Sequence, residues 1–321
     1  MSSRTIRVTR AQWEVDYKGR NLVKKRADRR QALNIATMAL LTVTLSSKVL
    51  FGLPLSAFMK AAHRCLAQWK RRMAGCGTEV YMKACEHGDH HQVATNCCHV
   101  PVCSWEEHRT AARMSSRGRL LMRYLPGSDS KQKRYVRYRD VRPFVNKYRD
   151  KIPKTWVEPR SGDLMSYRFG SINLRDTGDF LADMDRIFKV RRRVARFLSR
   201  HGQIASFISL DVGNQNSYHV HLHFLSYGPF ISREVFERFH RSLDCTVRGC
   251  RHEPGDREHC NGSWEGDLRA AYSPTEVLKY ACSWPDPGEG ADGGLDPWQV
   301  ALRLATFLAS YKRHRIECYG L

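Results

Sequence analysis

Three histidines at every second position are the residues in this sequence best suited to metal chemistry. They are His219, His221 and His223, and apolar residues alternate with them in the stretch YHVHLHFLSYG (218–228). In a β-strand this alternation places the imidazoles on one face and the apolar side chains on the other. A carboxylate from a neighbouring strand would complete a site, and Asp211 at the end of the preceding strand is well placed. Imidazole and carboxylate ligands admit Mn, Zn, Fe or Mg.

The alternative is a polar strand face without a ligand, as is usual for a single histidine. Three imidazoles within five positions, beside a strand that ends in aspartate, favour metal binding over that alternative.

The segments around the histidines alternate between strand and helix patterns. Strands are predicted at 164–176, 203–213, 218–228 and 264–272, and helices at 179–202, 232–243 and 273–284. In the first helix the apolar residues recur on one side, and Gly202 is expected to terminate the helix at its C-terminus. This order predicts an α+β fold, an antiparallel sheet with helices on one face, of the split βαβ (ferredoxin-like) kind.

The charge balance predicts a polyanionic partner. The 321 residues include 54 Lys and Arg against 32 Asp and Glu, a net charge of +22. Most of the excess lies in residues 1–30 and 113–154, and aromatic residues are interleaved with the second run. We therefore expect this run to contact nucleic acid, with the aromatic rings stacking on bases, rather than to be a solvated tail. The residues assigned to this role are Arg134, Arg137 and Arg139 among the cations and Tyr124, Tyr135, Tyr138, Phe144 and Tyr148 among the aromatics.

The N-terminal third is predicted to be helical. Residues 31–47 are uncharged but rich in Ser and Thr, which favours a buried helix or strand over a membrane span. Residues 54–77 and 104–125 each have the pattern of a helix, and 125–134 that of a linker. The polar first thirty residues indicate no signal peptide, so we expect a cytoplasmic protein. Its eleven cysteines are then expected to serve as metal ligands rather than as disulfides.

Four stretches in this order resemble the His-hydrophobic-His (HUH) endonucleases, in particular the rolling-circle replication initiators of plasmids and phages. The resemblance covers roughly residues 76–321. The matching stretches are GSINLRDTGDF (170–180), SFISLDVGNQNSYHVHLHFLSYGPFI (206–231), EVLKY (276–280) and KRHRIECYGL (312–321).

The resemblance implies that Tyr280 is a nucleophile that attacks a phosphodiester of single-stranded DNA. The products are a 5′-phosphotyrosine link and a free 3′ hydroxyl, with Mn²⁺ or Mg²⁺ bound at the histidine strand. The family register favours His221 and His223 as ligands and leaves His219 to support them or to substitute for one of them. Tyr272 is the alternative nucleophile. The implied partners are origin DNA, single-stranded DNA and the host replication helicase and polymerase, with no membrane.

One position departs from the family pattern. Close relatives have Lys three residues after the tyrosine, where this chain has Ser283. Lys279 or a nearby arginine would then have to supply the positive charge toward DNA.

Two Cys- and His-rich segments predict structural metal. Residues 76–105 resemble the zinc-binding segment that precedes the catalytic domain in some of these initiators, although the spacing is looser than that of paired CxxC motifs. The ligands assigned to it are Cys76, Cys85, Cys98 and Cys103, with Cys97, His87 and His99 as substitutes. Residues 245–260 have the character of an insertion that holds a second zinc or forms a polar loop.

Two domains are expected: a basic, helical, zinc-binding DNA-binding region over residues 1–160 and an HUH catalytic domain over 161–321. The leading function is an origin nickase that initiates rolling-circle replication. The alternatives are a single-tyrosine transposase with the same chemistry and a zinc-containing DNA-binding regulator without catalysis. Ser283 is the feature that favours the regulator.

Overall fold

A computed structural model describes most of the chain. The described residues are 4–9, 21–76, 79–84, 91–95, 98–104, 116, 125, 135–174, 176–213, 218–244, 267–271, 295–311, 313 and 316–320. The strands are β1 (Arg4–Thr9), β2 (Val49–Leu50), β3 (Leu53–Pro54), β4 (Glu79–Ala84), β5 (His91–Thr95), β6 (Val136–Arg137), β7 (Leu164–Asn173), β8 (Ala205–Val212), β9 (Val220–Gly228), β10 (Asp267–Ala270) and β11 (Ile316–Gly320). The helices are α1 (Asn21–Ser47), α2 (Leu55–Phe58), α3 (Ala62–Met73), α4 (Tyr138–Lys147), α5 (Phe180–Arg200), α6 (Arg233–Asp244) and α7 (Pro297–Ala309).

The chain divides into two compact units. Unit 1 comprises Met1–Thr110 and Asp286–Ala309, and unit 2 comprises Ala111–Pro285 and Ser310–Leu321. The boundary expected after residue 160 therefore lies inside unit 2.

Unit 1 contains a helical group and a separate antiparallel sheet. Helices α3 and α7 pack against α1, and β4 lies between β1 and β5. The uncharged stretch 31–47 is helical, as one of the two expected alternatives, and its buried residues recur on one side of α1. They are Leu33, Asn34, Thr37, Leu41 and Thr44. Among the described residues, no helix combines the length and apolar character needed to cross a bilayer.

The helix predicted over 54–77 is interrupted. Helix α2 ends at Phe58, Met59 has an extended backbone with φ −172° and ψ 147°, and α3 starts at Ala62. The buried side chains of α3 are Ala62, Leu66, Trp69 and Met73. These positions follow the helical period, which explains why the sequence pattern marked the helix but not the break before it.

Unit 2 is built on a six-stranded antiparallel sheet. The order is β10-β7-β9-β8-β11, and β6 also pairs with β7. Since β9 is antiparallel to both of its neighbours, β7 and β8 run parallel to each other with β9 between them. Helix α5 connects β7 to β8, which is the split βαβ arrangement expected from the sequence. The predicted α+β class and antiparallel sheet flanked by helices are therefore confirmed.

Helices cover both faces of this sheet, not one as expected. On one face, Phe224 of β9 lies near Phe236 of α6, which in turn lies near Phe197 of α5. On the other face, α4 contributes to an apolar cluster with residues of β7, β8 and β9. That cluster includes Tyr138, Val141, Val145, Trp156, Tyr167, Phe207, Leu225 and Tyr227. Because α4 comes from the basic run 113–154, its charge pattern masked the apolar side that packs here.

Candidate metal centre

Strand register brings a carboxylate next to the histidine strand. Asp211 of β8 is the cross-strand partner of His221, and Ser209 is the partner of His223. Cross-strand partners project from the same face of a sheet. Asp211, His221 and His223 therefore share one face, which is the face covered by α4 further along the strands.

The donor atoms of these three side chains converge. Nε2 of His221 lies 3.1 Å from Nε2 of His223, and Oδ2 of Asp211 lies 3.3 Å and 3.6 Å from those two nitrogens. With metal–ligand bonds of about 2.1 Å, neighbouring donors are about 3.0 Å apart in an octahedron and about 3.4 Å apart in a tetrahedron. The spacing of the three donors thus fits a single divalent cation.

The three side chains are partly buried but remain accessible to solvent. Relative exposures are 16% for His221, 21% for Asp211 and 25% for His223. Nδ1 of His221 lies 3.4 Å from the carbonyl oxygen of His219, on the side of the ring away from the other donors. A carbonyl behind the ring is how proteins commonly orient an imidazole that binds metal through its other nitrogen. The remaining coordination positions can be taken by water or substrate.

His219 lies apart from this group. Its Nδ1 is 3.0 Å from Oδ2 of Asp176, in the turn between β7 and α5. Its ring is roughly parallel to that of His221 at 5.4 Å between centroids. Of the three histidines singled out in the sequence, the structure therefore brings two together with Asp211 and leaves His219 beside a different carboxylate.

Buried Asp183 fixes the turn that carries Asp176. Its carboxylate accepts hydrogen bonds from the backbone N–H and hydroxyl of Thr177 and from the hydroxyl of Tyr218. Burial, with the Asp183 hydrogen bond as a further cause, raises the pKa of Tyr218 well above its ordinary value. Asp179 caps α5 by accepting from the N–H groups of Leu181 and Ala182. The hydrogen bond from Tyr218 to Asp183 holds the residues just before β9 next to this turn.

An aromatic ring and an arginine beside the centre were missed in the sequence. Phe169 of β7 stacks on His223, with 5.6 Å between centroids and 23° between planes. The guanidinium of exposed Arg269 on β10 lies over the Phe169 ring at 5.5 Å. Arg269 and Phe169 are cross-strand partners. Strand alternation alone gave no register for β10, so no sequence signal placed Arg269 on this face.

A second group of possible metal ligands lies in unit 1. Sγ atoms of Cys76, Cys98 and Cys103 all lie within 4.8 Å of one another and all three residues are buried. Hydrogen bonding to Cys103, together with burial, raises the pKa of Cys98 to about 12 and raises the pKa of Cys76 as well. The raised pKa values do not prevent metal binding, because a bound cation deprotonates coordinating thiols outright. This cluster could therefore hold a metal ion.

Asn34 of α1 ties this cluster to the helical group. Its Nδ2 donates to Sγ of Cys103 at 3.5 Å. Its Oδ1 accepts from the backbone N–H and the hydroxyl of Ser104, both at 3.0 Å. An amide donor to a cysteine sulfur and an anchored neighbour orient the ligand, as contacts around metal ligands generally do.

Several predicted residues can be placed on the surface or in the core. Arg137, Arg139 and His99 are exposed. Tyr138 is only 1% exposed and belongs to the core of unit 2, so its assignment as a base-stacking residue is wrong. Phe144 and Tyr148 contact each other at 4.9 Å, whereas Tyr135 is 46% exposed.

The other assigned residues lie outside the part of the chain that the structure describes. They are Tyr280, Lys279, Ser283, Tyr272, Arg134, Tyr124, Cys85, Cys97, His87 and the segment 245–260. Their roles stay predictions, as do nearly all of the helix expected over 104–125 and the linker over 125–134.

Comparison of the chain with protein-family models, with curated proteins and with solved structures found no match.

Proposed function

We propose that the protein is a metal-dependent endonuclease of the HUH type that nicks single-stranded DNA at an origin and starts rolling-circle replication. The observation that carries the proposal is the convergence of Asp211, His221 and His223 on the open part of a sheet face. The β7–α5–β8 crossover around β9 agrees with the fold that the resemblance implies.

Asp211, His221 and His223 would hold Mn²⁺ or Mg²⁺, and their two nitrogen donors favour Mn²⁺. When bound, such a cation acts as a Lewis acid toward a phosphate oxygen. The phenolic oxygen of Tyr280 forms a bond to phosphorus while the bond from phosphorus to the 3′ oxygen breaks. The phenol proton is lost and the departing 3′ oxygen gains one, which leaves a 5′-phosphotyrosine and a 3′ hydroxyl.

The cysteine cluster would hold a structural Zn²⁺ in unit 1. Zinc in structural sites is four-coordinate, and thiolates are its preferred ligands. Cys76, Cys98 and Cys103 would supply three, and Cys85 the fourth, with Cys97, His87 or His99 as substitutes.

A covalent-adduct assay tests the proposed activity. A single-stranded oligonucleotide from the origin, labelled on its 3′ side, is incubated with the full chain and Mn²⁺, and the protein is separated under denaturing conditions. We expect label on the protein with the wild type, none with Tyr280→Phe, and wild-type labelling with Tyr272→Phe. His221→Ala combined with His223→Ala should abolish labelling while the oligonucleotide still binds.

Adduct formation by Tyr280→Phe would show that the nucleophile is a different residue. Binding of duplex DNA with no covalent product from any variant or from the wild type would contradict the nickase and support the regulator.

A further inference from the structure

Helix α5 carries a row of five exposed cations. Lys189, Arg192, Arg193, Arg196 and Arg200 are all exposed. At 3.6 residues per turn they lie within an arc of about 100° around the helix axis, and at 1.5 Å per residue the row is about 16 Å long. The opposite side of α5 is buried in the core, with Ile187, Val194 and Leu198 at 0% exposure. The row is therefore the outer face of a helix whose inner face is fixed.

No described carboxylate forms an ion pair with Lys189, Arg192, Arg196 or Arg200. The exposed acid on α5, Asp185, pairs with Arg313. Arg193 differs from the others because its Nη2 donates to the carbonyl and hydroxyl oxygens of Ser242 on α6. The row thus combines positive charges with no compensating negative charge among the described residues.

The neighbouring helix α6 provides a contrast. It also carries arginines at its surface, but Arg233 and Arg241 both pair with Glu237. A solvated helix face typically mixes charges in this way, because pairs three or four residues apart stabilise the helix. Five like charges at that spacing repel one another, so the α5 row costs stability and its charge is explained better by a ligand than by the fold.

We propose that the α5 row, Lys189 to Arg200, is a docking surface for the phosphate backbone of double-helical DNA. Duplex DNA carries one negative charge per about 1.7 Å of axis, so a straight row of about 16 Å faces several phosphates. Four of the five cations are arginines, whose planar guanidinium groups bind phosphate in bidentate fashion.

The row suits a duplex better than a single strand or a membrane. Single-strand surfaces pair cations with aromatic rings that stack on bases, and the exposed face of α5 carries no aromatic residue. A helix that lies on a bilayer inserts an apolar side, whereas the apolar side of α5 is already buried against the sheet.

The surface is separate from the metal centre. Helix α5 packs with α6 on the face formed by Phe224 and its neighbours. His221 and His223 alternate with those residues and therefore project to the opposite face. Duplex DNA held on α5 would consequently leave the metal face of the same sheet open to another segment of DNA.

The test compares salt dependence of binding between two matched double variants. The full chain is titrated into a labelled duplex of about 20 base pairs of arbitrary sequence, by fluorescence anisotropy over a series of NaCl concentrations, with no divalent ion added. Arg192→Gln with Arg196→Gln should weaken binding roughly tenfold or more at about 0.15 M salt. It should lower the slope of log K against log salt by about 1.8, or 0.9 for each phosphate that the protein no longer neutralises.

The control variant is Arg233→Gln with Arg238→Gln on α6, which removes the same net charge. It should leave the slope within about 0.3 of wild type. Arg192→Lys with Arg196→Lys should keep the wild-type slope, because it keeps the charges. Circular dichroism melting curves should show that all three variants remain folded.

An unchanged slope in the α5 glutamine variant would overturn the proposal. So would an equal reduction in the α6 control, which would mean that only total charge matters. A larger weakening of binding for a single strand of equal length, or for vesicles of anionic lipid, would assign the row to one of those partners instead.

Discussion

The Nε2 atoms of His221 and His223 face each other at 3.1 Å, with Oδ2 of Asp211 beside both. With the carboxylate beside them, the two imidazoles form a group of three donors that could hold one metal ion.

Removal of one of these ligands should weaken metal binding. For His223→Ala we expect the Kd for Mn²⁺ to rise at least tenfold, since even residues that only support a ligand contribute 10- to 100-fold to affinity. Isothermal titration calorimetry with Mn²⁺ measures this directly. His219→Ala is the matched control and should change the Kd less than threefold. Equal effects in both variants would show that His219 also contributes to metal binding, as a ligand or as a support of His221.

Removal of a thiol from the cysteine cluster should release one metal ion per chain. We expect Cys103→Ser to contain one equivalent of zinc less than the wild type and to lose several kcal/mol of stability, because binding energy of structural zinc is folding energy. Zinc content by mass spectrometry and a urea unfolding curve give the two values. Cys65→Ser changes a thiol outside the cluster and should match the wild type. Equal zinc content in both variants would contradict a metal at Cys103.

A methyl group at Gly170 should destabilise the sheet of unit 2. A Cβ there would lie 2.2 Å from Cζ of Phe224, whose ring occupies the space above the glycine. Gly170→Ala should therefore cost about 1–3 kcal/mol of unfolding free energy. Gly162→Ala, where a Cβ would meet nothing within 4 Å, is the control for the change of residue type. If the clash is the cause, Phe224→Leu combined with Gly170→Ala should cost less than the sum of the single changes.

Tyr138 should contribute to unfolding at alkaline pH. Burial, aided by the hydrogen bond to Glu158, raises the pKa of Tyr138 to about 12, against about 10 in an unfolded chain. The folded state thus holds the phenolic proton more tightly, so this stabilisation is complete below pH 10 and is lost as the pH rises through 12. In urea unfolding between pH 10 and 12, Tyr138→Phe should lose stability less steeply with pH than the wild type. An identical pH dependence would contradict the assignment.

The sequence by itself predicted β7, α5, β8, β9 and α6 of unit 2 and the alternating histidines of β9, but not α4. The period of two around His221 and the helical period of α5, which is followed by Gly202 with a positive φ, reflect local backbone geometry. Such patterns depend only on residues close in the chain, and the sequence therefore predicted the strand–helix order and Asp211 as a ligand.

Only the tertiary structure decided which side chains meet. His219 lies beside Asp176, apart from the other two histidines. Strand pairing brought Phe169 next to His223. Packing buried Tyr138, which the charge of its segment had suggested to be exposed. The charge count along the chain did not predict the row on α5, because it does not show which cations share an exposed helix face. Each of these facts depends on contacts between residues distant in sequence, which local periodicity does not encode.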